Sequence, residues 1–108
     1  MQTSDTHAEF ESLARAFFAE NPHIRHTWRQ IPSVWGGYTD IVCSEGENEE
    51  VFASLRNYQI TIGSRSGDKD FEDFGRGLSD REVAREAFTH FVGLLRENGL
   101  LADGVRQA

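Results

Sequence analysis

The chain has 108 residues, 38% of them hydrophobic, and a formal net charge of −7, so it is long enough for one hydrophobic core and too short for two, and a single domain over residues 1–108 is expected. Its apolar runs are short, and the N-terminal stretch with Asp5, His7, Glu9 and Glu11 has neither a basic nor an apolar leader region, so neither a membrane span nor a secretory signal is expected. Cys43 is the sole cysteine, which leaves the core without an intrachain disulfide, the usual condition of a reducing compartment, and a cytoplasmic location is expected.

The first element is announced by Thr6-His7-Ala8-Glu9, a capping box in which the threonine and the glutamate three residues on satisfy each other's backbone amides. Phe10, Leu13, Ala14, Phe17 and Phe18 then recur on one helical face, and Asn21-Pro22 ends the helix because the residue before proline avoids helical geometry. A weak strand is expected at about His26 to Ile31 and a second at about Gly37 to Ser44, followed by the polar connection Ser44 to Glu50. Val51 to Leu55 and Tyr58 to Ile62 alternate with period two. With Arg56-Asn57 as the turn, Leu55 faces Tyr58, Ala53 faces Ile60 and Val51 faces Ile62. Gly63 to Asp70 is polar and carries glycine, the composition of an exposed loop. Ser79-Asp80-Arg81-Glu82 opens a second helix with a wide apolar face from Val83 to Leu95, closed by Asn98-Gly99-Leu100 in the manner of a glycine C-cap.

The order α-β-β-β-β-α predicts an α+β domain: an antiparallel sheet of three to four strands with an N-terminal and a C-terminal helix packed on one face. Phe52, Ser54, Arg56, Gln59 and Thr61 then point to the other face, where Phe52 is the odd residue among polar neighbours.

Candidate chemistry is sparse. His23 and His26 are three apart but follow Pro22 with no completing ligand nearby, so no metal site is expected. Asp68-Lys69-Asp70-Phe71-Glu72 begins like a calcium loop, yet Asp73 stands where that loop needs glycine and Ser79 where it needs glutamate. Cys43 lies in an apolar strand pattern and reads as a small core residue rather than a nucleophile. The glycines form no phosphate-binding motif, so no cofactor is expected. Glu45, Glu47, Glu49 and Glu50, in a polar loop, lack the burial that tunes a catalytic carboxylate, and no catalytic residue is assigned; the enzyme alternative is a small hydrolase using these carboxylates with His23 or His26.

A binding surface is the reading that remains. Between Thr39 and Phe74, nine acidic residues stand against three basic ones, while the flanking thirds are nearly balanced. Such a field disfavours direct nucleic-acid contact and steers basic partners in. The expected contact residues are Trp35, Tyr38, Glu47, Glu49, Glu50, Asp70 and Asp73, aromatics supplying area and acids supplying steering. The sheet's edge or open face could also pair two copies into a homodimer.

The strand pair Val51 to Ile62, the segment Asp70-Phe71-Glu72-Asp73-Phe74, and the helix with Glu86-Ala87-Phe88, Phe91 and Leu94-Leu95-Arg96-Glu97-Asn98-Gly99 together resemble the small α+β immunity proteins that bacteria make beside polymorphic or contact-dependent toxins. Some of those proteins carry histidines just before the phenylalanine of the aromatic-acidic segment, where this chain has Lys69-Asp70. The resemblance implies a cytoplasmic inhibitor that occludes the active site of a cognate toxin, such as a nuclease or deaminase-like domain with a basic groove. The alternative binding function is a phage-encoded acidic mimic that inhibits a nucleic-acid-binding defence complex.

Overall fold

The computed structural model describes residues 5–32, 37–45, 48–56, 59–72 and 80–101. Helix α1 (Asp5–Glu20) leads into strands β1 (His26–Ile31), β2 (Tyr38–Glu45), β3 (Asn48–Arg56), β4 (Gln59–Ser64) and β5 (Gly67–Glu72), and helix α2 (Asp80–Glu97) follows. The five strands form one antiparallel sheet in sequence order, and the fold is the expected α+β architecture with five strands in place of three to four.

Both helices are positioned by their apolar faces. Phe10, Ala14 and Phe18 of α1 and Val83, Ala84, Ala87, Phe91 and Leu95 of α2 are buried, in the i, i+3, i+4 spacing of one helical stripe. The helices meet through edge-on aromatic contacts, Phe10 to Phe88 and Phe91 at 5.9 Å each and Phe17 to Phe88 at 5.6 Å, the arrangement ring quadrupoles favour. Helix α1 stops as expected before Pro22, where the Asn21 side chain donates to the Phe17 carbonyl at 2.9 Å. Its start differs: Asp5 and Thr6 are already helical and Thr6 is buried, so Thr6 is not the capping residue the sequence predicted. Helix α2 ends in a Schellman motif. Gly99 adopts φ +77°, Leu100 N–H donates to the Leu95 carbonyl at 2.9 Å, and Gly99 N–H donates to Arg96 at 3.2 Å.

Three strand expectations are corrected. The β3–β4 hairpin pairs Leu55 with Ile60 and Ala53 with Ile62, two residues away from the predicted register, because the turn is centred one residue later, between Arg56 and Gln59. A slip of two preserves side-chain facing, so both registers put the same residues in the core. Ser44 to Glu50 is not a seven-residue loop: β2 runs to Glu45 and β3 starts at Asn48, with a bulge after Cys43 that shifts the register from Cys43–Val51 to Ser44–Glu49. Most of Gly63 to Asp70 is likewise strand, Arg65 and Ser66 making the turn into β5. An edge strand tolerates the charged side chains that made this segment look like a loop.

The core lies between the helices and one sheet face, where Ile41, Cys43, Val51, Ala53, Leu55, Ile60 and Ile62 are fully buried. Burial pushes the Cys43 thiol up to about 12, as expected of a core cysteine.

Candidate binding surface

Strand alternation sends the neighbours of those core residues to the opposite face, which neither helix covers. Across it lie Tyr38, Asp40 and Val42 of β2, Phe52, Ser54 and Arg56 of β3, Gln59, Thr61 and Gly63 of β4, and Asp68, Asp70 and Glu72 of β5. Two devices fix this surface. The Arg56 guanidinium donates to Asp40 Oδ1 at 2.9 Å and lies over the Tyr38 ring at 4.3 Å, so a cation is held flat between a carboxylate and an aromatic. Phe52 lies across Gly63, where an added Cβ would come within 2.5 Å of the ring and 2.8 Å of Asp68 Cβ. Glycine at 63 is what lets the aromatic ring lie on the sheet. A shallow depression of about 220 Å³ is bounded by Arg29, Asp40, Val42, Phe52 and Ser54.

Asp68, Asp70 and Glu72 are exposed and occupy alternate positions of β5; Asp70 accepts a hydrogen bond from the Thr61 hydroxyl at 2.8 Å. Tyr38 and Asp70, two of the expected contact residues, both belong to this face, separated by three strand spacings, on the order of 14 Å. Trp35, Glu47 and Asp73 lie outside the described residues, and Glu49 and Glu50 are placed only as backbone positions of β3. Trp28 is on the helix side, half-buried against the core with Arg15 stacked over it at 4.2 Å. His26 stacks on Phe18 at 3.8 Å, and its Nδ1 is 3.0 Å from the Ile24 carbonyl, a placement set by packing.

A second polar constellation was not foreseen. At the N-terminal end of α1, His7 is 2% exposed; its Nε2 is 2.8 Å from Glu11 Oε2 and 3.1 Å from Thr39 Oγ1. The Thr39 hydroxyl donates to the same carboxylate oxygen at 3.3 Å. These groups line a cleft of about 430 Å³ with Gln30, Ile31 and Tyr38 among its walls. Burial lowers the His7 pKa, opposed by Glu11, which favours the neutral imidazole. The geometry is not that of a nucleophile relay, in which the hydroxyl and the acid take opposite ring nitrogens: here both face Nε2. The available signal was that His7 falls at i−3 from Phe10 on the apolar face of α1, and Thr39 at i−2 from Ile41 on β2.

Among the described residues no three His, Cys, Asp or Glu side chains cluster as metal ligands, and no helix is long and apolar enough to cross a membrane. Comparison with protein-family models, with curated proteins and with solved structures gave no match.

Proposed function

We propose that the chain is a protein-binding inhibitor of the immunity type, which uses the open face of its sheet to cover the active site of a basic toxin domain. The observation that carries this reading is the pairing on that face of a seated aromatic, Phe52 over Gly63, with the exposed acids Asp68, Asp70 and Glu72 along β5. An aromatic held in place by its own sheet loses little entropy on contact, and a row of carboxylates speeds the approach of a cationic surface. The Arg56–Asp40 pair supports the same role, because the central cation is already neutralised and does not repel a basic partner.

The test is to co-express the chain with the product of the neighbouring gene, measure inhibition of that product, and follow association kinetics across salt. Reversing Asp68, Asp70 and Glu72 to lysine together is expected to slow association by at least about tenfold at low salt and to flatten its salt dependence. Unchanged kinetics would remove the open face from the interaction, and capture of a host defence complex instead of a toxin would replace the inhibitor's target with a different one.

A further inference from the structure

The His7–Glu11–Thr39 cleft lies on the helix-covered side of the sheet, beyond the surface assigned above, and the fold gives no reason for its polarity. Burying a histidine and a hydroxyl between α1 and the sheet is costly unless they are paired. Gln30 stands directly across from Thr39 in the β1–β2 register, so a neutral amide, a hydroxyl, a neutral imidazole and one carboxylate converge on one opening. Its volume, about 430 Å³, is within the range of small-ligand sites.

We propose that this cleft binds a guanidinium or alkyl-ammonium group, with Glu11 as its counter-ion and Gln30 and Thr39 as flanking hydrogen-bond partners. Glu11 has the capacity: His7 and Thr39 both use Oε2, while among the described residues Oε1 has a long 3.5 Å approach from Arg15, whose side chain is 58% exposed and also lies over Trp28. A second cation can therefore take a shorter bond at Oε1 with Arg15 remaining on its ring. A neutral His7, which its burial favours, leaves the carboxylate uncancelled, and this selects cations over anions. The positive end of α1 acts in the other direction, but it amounts to about half a charge spread over the first turn, against the whole charge of Glu11.

The cation could belong to a free small molecule or to an arginine or lysine within a protein, and the probes separate the two. Titrating the isotopically labelled chain with free L-arginine and with N-acetyl-L-arginine methylamide, followed by amide NMR shifts, is expected to move Gln30, Thr39 and Glu11 with a dissociation constant in the millimolar range. The blocked amide binding more tightly assigns the site to a protein side chain, and free arginine binding more tightly assigns it to a small molecule. Glu11→Gln should weaken binding by about tenfold or more, the loss expected of one charge-assisted hydrogen bond. Should that variant fold poorly by circular dichroism, Gln30→Lys at an exposed position supplies a tethered ammonium and should compete the probe out. The proposal is overturned if neither probe shifts these amides, if N-acetyl-L-glutamate methylamide shifts them equally, or if the folded variants bind as the parent does.

Discussion

On the helix-covered face of the sheet, Ile41, Val51, Leu55, Ile60 and Ile62 are fully buried, whereas on the other face their immediate neighbours Val42, Phe52, Ser54, Arg56 and Thr61 keep partial contact with water. The strands are the same; the neighbours differ. The covered face is held by volume, since two helices must fit against it without voids. The open face is held by particular pairs: a ring that needs a glycine beneath it, a guanidinium between a carboxylate and a tyrosine, a threonine bonded to an aspartate. A surface fixed by pairs can be shaped for recognition while the packed face alone maintains the fold.

The largest expected effect lies on the packed face. Phe10 is fully buried and touches Phe88 and Phe91, so Phe10→Ala should cost about 3–5 kcal/mol in denaturant unfolding. Phe52→Ala, removing a ring of equal size from the open face, should cost only about 1 kcal/mol because part of that ring is already in water. Equal losses would abolish the distinction between the faces. Next in size is Gly63→Ala, where the new methyl meets the Phe52 ring at 2.5 Å and Asp68 Cβ at 2.8 Å; it should cost about 1–3 kcal/mol. Combining it with Phe52→Ala removes the ring clash but leaves the Asp68 contact, so a double-mutant cycle should recover part of the loss. Full additivity would mean that the ring moves aside freely and the open face is not pre-set.

How far these two faces could be read in advance follows from what each depends on. The helices and the core strands were legible because buried periodicity is a property of single residues: Phe10, Ala14 and Phe18, or Ala53 and Leu55, announce their side by spacing alone. The hairpin register was missed by two positions because alternation fixes facing and not pairing. Gly63 to Asp70 reads as a loop because Asp68, Lys69 and Asp70 have the composition of one, and only the company of β4 makes them a strand. The open-face pairs join residues far apart in sequence, Arg56 with Asp40 and Phe52 with Gly63, and no local pattern marks them. The same holds for His7 and Thr39, thirty-two positions apart, although each sits where an apolar residue would be expected.

His7 is a buried ionisable group on the packed side, and its titration gives the smallest but most diagnostic effect. Its pKa is lowered in the folded state, chiefly by burial, with Glu11 opposing. The unfolded chain therefore takes up a proton at His7 first, as pH falls through the ordinary value of 6.5, while the folded chain is still neutral there. Stability from this group is complete above that pH, declines below it, and stops declining once the folded imidazole is itself protonated. The chain has three other histidines, so the quantity to compare is the change in unfolding free energy between about pH 7.5 and pH 5.5 for the parent and for His7→Gln. The loss on acidification should be smaller in the variant. A larger loss would mean that the ion pair with Glu11 outweighs burial, and that the cleft carries a protonated imidazole instead of a lone carboxylate. That result would also remove the charge on which cation selection in the cleft depends, so the same titration bears on the packing of the covered face and on what this polar opening can hold.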